Sequence, residues 1–294
     1  MTGSRAWARV GMLLALCITA SGCGGSTVTT PLTPAEVAER YGYNTATSTM
    51  TPAYALVPEY RNPLDGYARD LLARECLQGV VDYQVVRPVP GDTELEEFRT
   101  GQAIFNEGVA LRFGYPIFRA PATNGLVVDE SVTMTEDILT AMKDCGKAAD
   151  KRLGLIPDNI PFLIESAGWE AAATDPLVMS AASAWKACMA PLGIADLPEV
   201  PDLMPPPSMF PRWAVDEDGN YQGYLDLALT DKERDVAVAD ARCRGEAHYD
   251  EVRFKARVVG ELQAIAADPE GFEAARTEFA DYFQGISEVI SALG

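Results

Sequence analysis

The strongest periodic signal lies in the last third of the chain, where Ala237, Ala241, Ala247, Phe254, Val258, Leu262 and Ile265 follow steps of three and four or their multiples. Charged residues such as Arg244 and Glu251 fall among them. That step places one stripe of an α-helix in a core. The pattern predicts an amphipathic helix from about Thr230, an N-cap with Glu233 three positions on, to about Ala267, where Asp268-Pro269 stops it. A final helix from Pro269 carries Phe272, Phe279, Phe283, Ile286 and Ile290. Helices also fit Thr135 to Leu153 and Pro176 to Leu192. Arg212-Trp213-Ala214-Val215 and Tyr221-Gln222-Gly223-Tyr224 flank Asp216-Glu217-Asp218-Gly219-Asn220, the pattern of a β-hairpin. Near the start, Thr33-Pro34-Ala35-Glu36 reads as an N-cap, a first-turn proline and a capping acid, opening a short helix through Tyr41. The polar, proline-dotted stretch Tyr43 to Tyr60 reads as a loop draped over the body. The expected fold is mainly α with a small β-hairpin.

Within that pattern one arrangement recurs. Pro63 precedes Cys76 by thirteen residues and Pro176 precedes Cys188 by twelve, each proline following a capping residue, Asn62 or Asp175. Asp137 lies eight before Cys145, and Asp235 eight before Cys243. Each unit is expected to be helix-Cys, a loop with some extended chain, then helix-Cys. Pairing within units joins Cys76 to Cys145 and Cys188 to Cys243; disulfides crossing between units are the alternative. The resulting division is 1–22 signal, 23–60 tether and loop, 61–155 first unit, 156–267 second unit, and 268–294 C-terminal helix.

Even pairing presumes an oxidising compartment, and the amino terminus supplies a route to one. Arg5 and Arg9 precede an apolar run from Val10 to about Ala20, followed by Ser21-Gly22-Cys23-Gly24-Gly25. This is a secretory signal whose apolar run is shorter than the about 20 residues needed to span a bilayer. Small residues before Cys23 resemble the bacterial lipobox, in which the cysteine is lipidated and becomes the mature terminus; Ala20 stands where that pattern most often has leucine. Cys17 lies in the discarded part, which leaves four cysteines for the body. From Gly24 to about Pro34 the residues are largely Gly, Ser, Thr and Pro, the composition of a flexible tether.

Charge narrows the range of partners. The formal net charge is -19, and loss of Arg5 and Arg9 with the signal makes the remainder more acidic still. A nucleic-acid partner is disfavoured, because phosphates need a basic face, and so is electrostatic adsorption to anionic lipid. With 48% hydrophobic residues over 294 positions, the chain can bury a sizeable core.

Candidate chemistry is sparse. Ser183-Ala184-Trp185-Lys186 matches the Ser-x-x-Lys pattern of penicillin-binding serine enzymes, but Ser-Asp-Asn and Lys-Thr-Gly companions are absent. A helix surface beside a disulfide is the expectation there. Asp216 to Asn220 offers clustered oxygens, yet an EF-hand begun at Asp216 places Tyr221 and Leu227 where glycine and glutamate are required, so a turn is expected. His248 is the chain's one histidine, too few for a histidine-rich zinc site, and reads as a solvated helix residue. Trp169, Trp185 and Trp213 read as core or hairpin cover, with a glycan or partner groove as the alternative. No catalytic residue, metal or cofactor is assigned.

The signal, the tether, Trp185-Lys186-Ala187-Cys188-Met189 and Val238-Ala239-Asp240-Ala241-Arg242-Cys243 resemble secreted lipoproteins of high-GC Gram-positive, actinobacterial, bacteria, and 18 arginines against 6 lysines suit such a genome. The resemblance implies a lipid-anchored extracytoplasmic protein with no assigned activity. The expected role is non-enzymatic binding or scaffolding of an envelope or cell-wall partner. An envelope hydrolase acting on peptidoglycan or peptide substrates, using carboxylates or Ser183 and Lys186, is the alternative.

Overall fold

A computed structural model describes residues 32–58, 64–81, 83–87, 104–115, 125–128, 133–157, 160–201, 213–215, 221–224 and 229–294. Cys23, the signal, most of the tether and Asp216 to Asn220 lie outside these residues. The protein is mainly helical, with ten α-helices among the described residues: α1 Pro34–Arg40, α2 Pro52–Leu56, α3 Leu64–Cys76, α4 Glu107–Phe113, α5 Glu136–Leu153, α6 Ile160–Thr174, α7 Pro176–Met189, α8 Asp231–Glu246, α9 Tyr249–Ala267 and α10 Pro269–Leu293. Tyr83–Val86 pairs antiparallel with Gly125–Val128, and Trp213–Val215 with Tyr221–Tyr224. No described helix is long and apolar enough to cross a membrane.

Local signals start the helices as the sequence indicates. Thr33 and Glu36 form a reciprocal capping box on α1. Thr135, Asp175 and Thr230 accept backbone N–H bonds at the starts of α5, α7 and α8, and Asp268 does so for α10.

The helix expected from Thr230 to Ala267 is two helices. Ala247 ends the first, and His248 adopts the left-handed conformation with φ 53° before α9 begins. The break lets the chain turn just after Cys243, which is bonded to Cys188. The three- and four-residue steps, or their multiples, continue through the turn, from Ala241 to Ala247 to Phe254, which is why periodicity alone reads straight across it.

The helix α9 lies against α6, and two glycines set their separation. A Cβ on Gly260 would meet the Ala171 Cβ at 2.5 Å and the Ala167 carbonyl oxygen at 2.8 Å, while one on Gly168 would meet the Glu261 Cγ at 2.7 Å. The backbones approach because neither residue carries a side chain there. Around this crossing Val37, Ala53, Val57, Ile164, Leu262, Ile265 and Phe272 make a core. Tyr43, Ala53, Leu56 and Val57 are buried in it; residues 44–50 form largely exposed turns over the body as expected, whereas 51–57, which include α2, are seated in the interior.

The disulfides Cys76–Cys145 and Cys188–Cys243 join α3 to α5 and α7 to α8, each with Cα atoms 5.6 Å apart. Other packing ignores the sequence units. Helix α4 packs on α8 through Val109, Ala110, Val236 and Ala237, and Arg242 makes a two-pronged pair with Glu107. Helix α10 packs against α3 and α5 through Tyr282, Ile286, Ala68, Leu72 and Ala149.

Candidate functional site

The carboxyl half of the body buries charged side chains in two linked networks. In the first, Asp240 on α8 accepts from the Tyr115 hydroxyl (2.9 Å), the Trp185 indole N–H (2.8 Å) and Arg244 Nε (2.7 Å) and Nη2 (3.0 Å). Burial works against the Arg244 cation, but Asp240 and Asp250 outweigh it and hold the guanidinium charged. Burial, then the neighbouring Asp240 charge, push the Tyr115 hydroxyl far above its ordinary value. In the second, Arg257 on α9 stacks 3.9 Å from the Trp169 ring centre and lies 3.5 Å from Glu261 and 3.9 Å from Glu165. The Tyr54 hydroxyl donates to Glu165 at 3.2 Å, and the Ala53 N–H donates to Glu261 at 2.9 Å. Thr51, the N-cap of α2, makes no cap bond with its own side chain, so a carboxylate 208 positions away serves the start of that helix. Burial raises the Glu261 carboxyl to about 7, against the lowering influence of the Ala53 N–H, Arg257 and Thr51.

A half-open cleft of about 480 Å³ meets these networks on the outside. Ala172, Val178 and Met179 give apolar walls, the segment Pro198 to Pro201 forms a rim, and Trp169, Tyr249 and Arg253 make the polar end. Arg253 is held by an ion pair with Asp250 at 3.0 Å and sits 5.5 Å and 5.4 Å from the Trp169 and Tyr249 ring centres. Its guanidinium is therefore pre-positioned between two rings beside an apolar surface. Such a site suits an extended apolar or aromatic group carrying an acceptor.

Residues singled out in the sequence fall in different places. Ser183 is exposed and donates to the Met179 carbonyl at 2.9 Å, whereas Lys186 Nζ pairs with Glu199 at 2.6 Å. The hydroxyl and amine are engaged with different partners, so the pair does not form the activated serine of the Ser-x-x-Lys enzymes. His248 is exposed, 3.6 Å from Glu251, at the junction of two helices rather than within one. Trp185 is fully buried core, while Trp169 lines the cleft. Among the described residues, no group of three or more His, Cys, Asp or Glu is placed to hold a metal ion. Tyr249, Asp250 and Arg253 carried no mark in the sequence beyond an acid three residues before an arginine, a spacing that recurs on exposed helices.

Comparison with protein-family models, curated proteins and solved structures gives no match.

Proposed function

We propose that the chain is a lipid-anchored protein of the extracytoplasmic face of a cell membrane, held through Cys23, that binds or supports another envelope component without catalysing a reaction. The observation that carries the binding role is the cleft at Trp169, Tyr249 and Arg253, set on helices fastened by buried ion pairs. Aromatic and arginine side chains held in place before an encounter are the groups that contribute most at protein interfaces. Two disulfides support an oxidising location, the destination that the signal before Cys23 encodes. Within this reading the body is a doubled helix-Cys/helix-Cys unit carrying a hairpin over Trp213 to Tyr224.

Crosslinking in intact cells followed by capture tests the role. Ala173 is exposed on the cleft lining, and Ala173→Trp would fill the cleft without disturbing the core. The expected result is a partner enriched over a control lipoprotein, with capture lowered about tenfold by Ala173→Trp. No enrichment, or capture unchanged by the substitution, overturns the reading. The anchor is checked separately by the mass of the mature amino terminus, which an unacylated form in the culture supernatant would contradict.

A further inference from the structure

Three charged side chains share one buried space beneath α2. Arg257 Nη2 of α9 lies 3.9 Å from Glu165 of α6 and 3.5 Å from Glu261, and all three residues are buried. Two carboxylates therefore face one guanidinium. Among the described residues, the other groups around the cluster leave that imbalance in place. Residues 43–57 bring the hydroxyls of Tyr43, Thr51 and Tyr54, of which Tyr54 donates to Glu165 at 3.2 Å. Arg253, one turn back along α9, is engaged with Asp250 at 3.0 Å. Arg276 of α10 is turned to the Leu56 carbonyl and to Glu273. Helix α1 enters the same core with Val37 and Ala38, while its Glu36, Glu39 and Arg40 are exposed. With both carboxylates ionised the space holds an unmatched negative charge, which one proton cancels.

Residues 51–57 cover this cluster and are tied to it. The Ala53 N–H donates to Glu261 at 2.9 Å and Tyr54 to Glu165, while the Leu56 carbonyl is held separately by Arg276 at 3.1 Å. The segment is one five-residue helix preceded by largely exposed turns, so it can lift without unwinding α6 or α9 beneath it. We propose that residues 51–57 are a proton-controlled strap, seated on α6 and α9 while the cluster holds its extra proton and released as that proton is lost. A neutral carboxyl keeps an acceptor oxygen for the Ala53 N–H, so taking the proton leaves that tie intact. Losing it sets a second negative charge beside Glu165, and lifting the strap lets water reach both. Burial, which raises Glu261 from 4.5 to about 7, places the change near neutrality. The seated form binds the proton more tightly than the open one, so seating is strongest below pH 4.5 and weakens as pH rises to 7. Across that window the ratio of seated to open strap falls by up to about 300-fold. The strap depends neither on the anchor at Cys23 nor on the cleft.

Hydrogen exchange of the full, disulfide-bonded chain tests the strap. Rates for the amides of Ala53 to Leu56 are followed from about pH 5 to about pH 8, each divided by the rate of an unstructured peptide of the same sequence at that pH. The expected result is protection that falls by up to about a hundredfold across this range. Glu261→Gln, neutral at every pH, should stay protected throughout. Glu165→Gln leaves one carboxylate for one guanidinium and should lose most of the slope, which keeps the test open if Glu261→Gln does not fold. The amides of Leu262 and Ile265, on α9 beneath the strap, should exchange at least about tenfold more slowly than Ala53 at the upper pH. Protection that does not change with pH overturns the inference, as does a slope that survives both substitutions. So does Ala53 exchanging no faster than Ile265, because the segment then leaves only when the whole body unfolds.

Discussion

Asp240 and Glu261 show two ways of keeping a carboxylate out of water. Asp240 is surrounded by donors from Tyr115, Trp185 and Arg244, so its charge is met on both oxygens. Glu261 receives the Ala53 N–H, but its cationic neighbour Arg257 stands 3.5 Å away and is itself destabilised as a cation by burial. The carboxyl is accordingly raised from the ordinary 4.5 to about 7. A folded-state value above the unfolded one means that the native protein binds the proton more tightly. The contribution of Glu261 to stability is therefore greatest below pH 4.5, falls as pH rises to 7, and is flat above. Its share of that fall is roughly 3 kcal/mol. Denaturant unfolding across this pH range should show a downward slope that Glu261→Gln removes; equal slopes in both proteins would mean that Glu261 titrates alike in the folded and unfolded chain. The sequence holds the local half of these pairings, Asp240 with Arg244 and Arg257 with Glu261, each four apart on a helix. That spacing ordinarily marks a solvated face. What reverses it is the arrival of Tyr115, Trp185 and Ala53 from distant positions, which no local pattern reveals.

The crossing of α6 and α9 carries its own prediction, because two glycines of the same type sit in opposite surroundings. A Cβ on Gly260 would collide with the Ala171 Cβ at 2.5 Å and the Ala167 carbonyl oxygen at 2.8 Å across the crossing, whereas a Cβ on Gly285 in α10 would meet nothing within 4 Å. Gly260→Ala should cost about 1–3 kcal/mol by forcing the helices apart. Gly285→Ala should raise stability by up to about 1 kcal/mol, since alanine loses less backbone freedom in a helix. Thermal unfolding of the two variants checks both signs. Element starts were legible because capping depends on a few adjacent residues: Thr33, Thr135, Asp175, Thr230 and Asp268 all cap as their sequence contexts indicate. Helix α6 was not, since Ile160-Pro161-Phe162-Leu163-Ile164 is apolar on every side and gives no period to follow. Helix α2 was hidden by its length of five residues and borrows its amino-terminal cap from α9. The cleft inherits this limit, because Trp169 lies on α6 and Arg253 on α9, and only the crossing brings them together.

At the scale of the molecule, two covalent links close separations of 69 and 55 residues. Each should contribute about 4 kcal/mol through the entropy withheld from the unfolded chain. Reduction should therefore move the denaturant midpoint sharply downward, and Cys76→Ser with Cys145→Ser should lose about half of the difference. A midpoint indifferent to reductant would contradict this. The even cysteine count and the expectation of export made two bridges legible, while the non-covalent packing of α4 on α8 and of α10 on α3 and α5, which runs across the cysteine units, was not. One feature of that packing governs the order in which the chain can assemble. Tyr41 meets Phe272 edge-on, Ala53 binds Glu261, and Arg276 donates to the Leu56 carbonyl, so the earliest described residues are seated by some of the last. A ribosome delivers residues 32–58 first, and they must wait, unseated, until nearly the whole chain has emerged.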